Sequence, residues 1–132
     1  MTILYRVNAP LEPETLADLF ARSGIRRPTG DLERLRRMIA HANLTVTARD
    51  GARLVGIARA LTDFSYCCYL SDLAVDCDYQ HQGIGGALVS RVRAEAGEEA
   101  SLILLSAPEA MAYYPKIGME AANNAWIIKR AR

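Results

Sequence analysis

Cysteine and histidine are scarce in this 132-residue sequence, with three of the first and two of the second, and neither set makes a recognisable site. Cys67 and Cys68 are adjacent, Cys77 stands apart, and no C-x-x-C occurs, which argues against zinc ribbons and disulfide-stapled secreted scaffolds. A reducing compartment, the cytoplasm, is expected. On a strand the two vicinal thiols point to opposite faces as small apolar fillers. His41 and His81 have no acidic cluster at metal spacing, and no G-x-S-x-G element exists. Metal and serine hydrolases are therefore set aside, and no metal is expected.

Long apolar runs are missing as well. None approaches the roughly 18 to 20 residues that cross a bilayer, and Arg6, Asn8 and Pro10 interrupt the first ten positions before a signal-peptide core forms. No membrane partner is expected. Nor does one sign of charge dominate: 16 Lys and Arg oppose 15 Asp and Glu. The first 49 residues are mildly positive, and Arg22, Arg26, Arg27, Arg34, Arg36 and Arg37 would attract an anionic partner. They alternate with Asp18, Asp31 and Glu33 and have no aromatic platform among them. A solvated helical face fits that pattern better than a nucleic-acid surface.

What remains is 51% hydrophobic and 23% charged, the composition of a soluble globular chain whose length suits one domain over residues 1–132. A chain this long removes roughly 65–70% of its unfolded surface from water, enough for a core without staples. Ile3 to Val7 has strand character. Pro13 opens a helix carrying Leu16, Leu19 and Phe20 at helical spacing, and Gly24 ends it. Asp31 caps a second helix with Leu32, Leu35, Met38 and Ile39 on one face and arginines on the other. Leu44 to Arg49, Asp50-Gly51 and Arg53 to Thr62 form a hairpin, and Tyr66 to Asp76 adds a third antiparallel strand. A helix from about Gly83 to Gly97, a strand Ser101 to Ser106, a short helix Pro108 to Tyr114 and a last strand Trp126 to Lys129 complete the order β, α, α, β, β, β, α, β, α, β.

Chemistry concentrates where a strand runs into glycines and then a helix. The segment L-S-D-L-A-V-D at 70–76 leads into Gln80-His81-Gln82-Gly83-Ile84-Gly85-Gly86, so unpaired main-chain N–H groups meet at a helix N-terminus. Such a terminus attracts phosphate, and glycines let the main chain come close to it. The spacing is neither G-x-G-x-x-G nor a P-loop. Q-H-Q-G-I-G does fit Q-x-x-G-x-G, and A-x-x-Y-Y-P-K-I-G-M follows at 110–119. With both motifs in this order the chain resembles the GCN5-related N-acetyltransferases (GNAT), over about residues 44–121.

The resemblance implies the α/β GNAT acyl-CoA N-acyltransferase fold, a mixed and mostly antiparallel sheet flanked by helices, in which the strands ending near Asp76 and Ser106 run parallel and splay around acetyl-CoA. It also implies that main-chain groups of the Leu73-Ala74-Val75 strand hold the pantetheine arm. Gln80, His81, Gln82, Gly83, Ile84, Gly85 and Gly86 would then line the pyrophosphate loop. His81 departs from the glycine or basic residue common at its place, and a solvent-facing filler is the simpler reading.

Acetyl transfer to an amine needs a neutral nucleophile, a stabilised oxyanion and a proton for the thiolate. Tyr114 matches the family's tyrosine and by resemblance serves the sulfur; the alternative is that Tyr113 and Tyr114 both only pack. By resemblance, too, a main-chain N–H near Val75 meets the oxyanion. Asp72 is the candidate base, with a structural strand acid as its alternative, and Asp63 and Tyr66 are weaker candidates. The alternative to any single base is an amine that arrives neutral or loses its proton along a chain of water. Ser106 either touches substrate or caps a strand, and Trp126 is expected in a core or dimer contact.

The expected activity is acetyl-CoA-dependent N-acetylation of an amine acceptor; a non-catalytic acyl-CoA-binding module is the alternative. Acceptor recognition falls to about Arg22–Gly30 and Thr62–Tyr66, where Arg26 and Arg27 hint at an acidic group on the acceptor. Small size makes a homodimer that completes the pocket a further expectation.

Overall fold

Strand β1 (Ile3–Val7) pairs antiparallel with β2 (Leu44–Asp50), β2 with β3 (Arg53–Thr62), and β3 with β4 (Cys67–Val75). Strand β5 (Ser101–Ile103) lies parallel to β4, and the spatial order is β1-β2-β3-β4-β5. This computed structural model describes residues 2–132. Helices α1 (Pro13–Ser23) and α2 (Leu32–His41) cover one face of the sheet, and α3 (Ile84–Ala96) covers the other. The fold is thus the expected α/β arrangement.

Two buried clusters divide the work of holding these layers. Leu16, Leu19, Phe20 and Leu35 from α1 and α2 pack on Leu54, Ile57 and Ala74. On the opposite face Ile84, Leu88 and Val92 of α3 meet Val46, Val55, Ala58 and Leu70. Each of the Leu, Ile, Val and Phe side chains contributes roughly 1.5–3 kcal/mol by leaving water. The helix ends follow the sequence: Pro13 stands in the first turn of α1, Gly24 ends it at φ +83°, and Asp31 accepts from the Arg34 N–H at 3.1 Å. Vicinal Cys67 and Cys68 fall on opposite faces, the first exposed and the second buried.

One irregularity matters for the site. Between Arg59↔Asp72 and Ala60↔Leu70 the β3–β4 register shifts, leaving Ser71 as an extra residue in β4. A bulge of one residue inverts the faces that follow. Cys68 and Leu70 therefore point toward α3, whereas beyond the bulge Leu73 and Val75 do, and Ala74 turns to α1 and α2.

The end of the chain departs from expectation. Pro108–Ala110 and Tyr114–Ile117 are two short 3-10 turns rather than one helix, with Pro108 first in one turn and Pro115 second in the other. Strand pairing in β5 stops at Ile103, short of Ser106. No strand forms at Trp126 to Lys129; residues 120–132 are exposed, and Trp126 is 97% exposed rather than in a core.

Candidate active site

Pairing between β4 and β5 is confined to Cys67↔Ser101, Cys68↔Leu102 and Tyr69↔Ile103, after which the strands part. The gap is a cavity of about 610 Å³. Leu73, Ala74 and Val75 line one side, Leu105 and Ser106 the other, and Tyr114 closes it. The Asp76 N–H bonds to Val55 O at 2.8 Å, which sets the phase of β4. In that phase Ala74 faces β3, while Leu73 and Val75 turn their main-chain groups to the open edge. The Gln80 side-chain amide already donates to Val75 O at 3.0 Å, tying the following loop to the strand end.

That loop is built to leave donors free. Gly83 begins α3 at φ +83° without a side-chain cap, and the first helical bond runs from Ala87 N to Gly83 O at 3.0 Å. The N–H groups of Ile84, Gly85 and Gly86 consequently lack a helical partner. His81 and Gln82 are exposed, and His81 takes φ +63°. Beneath the loop, buried Asp76 accepts from Arg22 at 2.7 Å, from Arg53 at 2.8 Å and from the Asp78 N–H at 2.9 Å. Burial alone would raise the Asp76 pKa, but those three donors outweigh it and hold it below the ordinary carboxylate range. Tyr79 adds a bond to Asp50 at 2.6 Å. An uncapped helix start on a fixed support, opening beside a free strand edge, fits a pyrophosphate joined to an extended amide chain.

The glycines have unequal reasons to be there. A Cβ on Gly85 would lie 2.5 Å from the Tyr113 hydroxyl, so this glycine makes room for a tyrosine as well as for any ligand. On Gly86 the nearest neighbour would be Ile117 at 3.6 Å, an ordinary contact. Tyr113 and Tyr114 meet edge to face, ring centres 5.3 Å apart. Burial pushes the Tyr114 phenol above its usual pKa, with Tyr113 adding to the effect, so Tyr114 keeps its proton at neutral pH.

Asp72 does not take the place expected of a base. Its side chain is fully buried, one oxygen bound by Arg27 Nε at 2.6 Å and the other by Arg59 Nε. The Ser71 bulge turns it toward the α1–α2 face, where both its oxygens are already taken by guanidiniums and neither faces the cavity between β4 and β5. Arg27 is correspondingly not free to meet an acceptor. Asp63 is also engaged, accepting from the N–H groups of Ser65, Tyr66 and Cys67 at 2.8–3.0 Å. Tyr66 is 80% exposed. Sequence reasoning passed over Glu109, the carboxylate that does line the cavity. Its signal was position, two residues after Ala107 where the splayed strand has ended.

A sequence profile of the acetyltransferase (GNAT) domain matches residues 18–127. The chain belongs to the GNAT acetyltransferase family. GCN5-related N-acetyltransferase 2, chloroplastic, of Arabidopsis thaliana is 38% identical to it over 71 residues, 52% of this chain and 28% of that protein. The chain therefore matches well under half of that GNAT relative. Among solved structures, a Deinococcus radiodurans R1 protein assigned as an acetyltransferase is 25% identical, with TM-score 0.78 over 97% of this chain and 88% of the other. One from methicillin-resistant Staphylococcus aureus is 23% identical, with TM-score 0.82 over 98% and 100%. An aminoglycoside N-acetyltransferase in complex with CoA is 14% identical, with TM-score 0.72 over 99% and 96%. The last two share the GNAT fold with this chain.

Proposed function

We propose that the chain moves the acetyl group of acetyl-CoA to a primary amine by direct attack. The observation that carries this reading is one cleft lined by the β4 edge, by Gln80 at the entry to the uncapped α3 start, and by the Tyr114 phenol. A binding module would need the first two and not the third.

Bound acetyl-CoA supplies a thioester; as the amine nitrogen bonds to its carbonyl carbon, the C–S bond breaks and the thiolate needs a proton. Gly83 to Gly86 hold the pyrophosphate through main-chain N–H groups, and the outward main-chain groups of Leu73 hydrogen-bond the pantetheine. The Val75 N–H faces the developing oxyanion. Tyr114 gives its proton to the sulfur and regains one from solvent. Glu109, rather than Asp72, takes the proton released by the amine.

Titration calorimetry with acetyl-CoA, followed by a free-thiol assay over a panel of amines, tests the reading. Tyr114→Phe is expected to lower kcat by roughly 100-fold or more while leaving acetyl-CoA affinity near that of the parent. Failure of the parent chain to bind acetyl-CoA would falsify the proposal, and unchanged turnover in Tyr114→Phe would remove that residue from it.

A further inference from the structure

Behind the Arg27 wall of the cavity, two guanidiniums stand against one carboxylate. Arg27 and Arg59 share one buried acid, Asp72, and their other donors end on neutral oxygens. Arg27 bonds to Arg26 O at 2.6 Å and Ser71 O at 2.8 Å, and Arg59 to Ser71 Oγ at 3.1 Å and Met38 O at 3.3 Å. Two guanidiniums against one carboxylate leave one positive charge in excess at this wall.

Arg26 adds a second. It lines the same cavity, is exposed, and makes no ion pair among the described residues. Its main chain is held in place, since the Arg27 guanidinium that grips Asp72 also binds the Arg26 carbonyl. Arg26 reaches the cavity from the segment between α1 and α2, on the face of the sheet opposite α3 and its free N–H groups. Glu109 also lines the cavity and does not come within ion-pair distance of Arg26. One cation on a tethered main chain and one separate carboxylate thus line the same cavity.

We infer that the acceptor is a small amine that also carries an anionic group, a carboxylate or a phosphate, and that Arg26 binds this group while the amine lies toward Glu109. The inference rests on the acetyl-transfer reading above. A planar guanidinium takes either anion through two parallel N–H bonds, and an anion here also meets the excess charge of the Arg27–Asp72–Arg59 cluster. An acceptor without an anion gains neither of these contacts and leaves Arg26 to water.

Matched pairs of amines provide the test: lysine against 1,5-diaminopentane, arginine against agmatine, histidine against histamine, and phosphoethanolamine against ethanolamine. Acetyl-CoA binding by calorimetry is measured alongside. In a pair that reacts, the anionic member should have a kcat/KM higher by about tenfold or more. Arg26→Gln should bring that ratio to about one, chiefly by raising the KM of the anionic member, and Arg26→Lys should restore part of it. The carboxylate and phosphate arms separate the two kinds of anion.

An amine without the anion that reacts as well as its anion-bearing partner overturns the inference. So does weakened acetyl-CoA binding in Arg26→Gln, which would make Arg26 a cofactor contact. If acetyl-CoA binds and no anionic amine is acetylated, the inference fails and the transferase reading stands. If acetyl-CoA does not bind, the underlying reading fails first.

Discussion

The guanidinium of Arg59 and the carboxylate of Asp72 sit opposite each other on β3 and β4, both withdrawn from water, directly beside the Ser71 bulge. Through the second oxygen of Asp72 the pair extends to Arg27, so one acid ties β3, β4 and the segment after α1 together. Its work is to fix one wall of the cleft.

Asp72→Asn should therefore act on stability. Removing one partner from a buried ion cluster leaves charge uncompensated and costs about 3–5 kcal/mol. Chemical denaturation should show that loss, while the acidic limb of the kcat/KM profile stays where it is. A shifted limb with stability intact would return Asp72 to the role of base.

The bulge also explains what was legible beforehand. Strand and helix limits from β1 to α3 followed from alternation, Pro13, Asp31 and Gly24, and Arg53 to Thr62 matched to the residue. Alternation cannot report an extra residue that pairs with nothing, so the face of Asp72 was unreadable. Pairing of its acid with Arg59 and Arg27, 13 and 45 positions away, is a tertiary fact. The Gln80–Gly86 loop and its lead into α3 were readable because they are local: three successive helical N–H groups and the glycines around them.

Gly86 offers a cleaner probe of that loop than Gly85, where any side chain collides with Tyr113. Gly86→Asp places a carboxylate in the first turn of α3, beside the donors a pyrophosphate would use. Better helix propensity and the helix dipole should stabilise the fold by about 0.5–1 kcal/mol. Acetyl-CoA affinity should fall by roughly 100-fold or more, since the carboxylate repels phosphate and competes for its donors. A higher Tm with lost binding in calorimetry is the expected pair of results; retained binding would move the pyrophosphate elsewhere.

Acid should loosen the β3–β4 turn in a defined window. The N–H groups of Cys67, Ser65 and Tyr66 bind the Asp63 carboxylate and hold its pKa at about 2, against an ordinary 3.8. A depressed pKa means the contribution to stability is full above pH 3.8 and is lost as pH falls through 2. Buried Asp76 has the same sign. An NMR titration should place the Asp63 midpoint near 2, and Asp63→Asn should lose less stability than the parent as pH falls from 3.8 to 2. A midpoint near 3.8 would show that the turn does not hold in solution.

Trp126 is the sole tryptophan, which makes it a reporter of the chain's last segment. It is 97% exposed, Ile128 is 100% exposed, and neither belongs to a strand. Fluorescence should accordingly show water-like, red-shifted emission, quenched freely by acrylamide in dilute solution. The β5 edge away from β4 has no strand partner among the described residues, and an unpaired edge is open to an added apolar strand from a second copy. If a homodimer forms by that route, emission should shift to the blue and quenching should fall as protein concentration rises, in step with mass by sedimentation. Blue emission that persists unchanged on dilution to monomer would instead mean that residues 125–129 pack on their own chain, and the exposure of Trp126 would then be wrong.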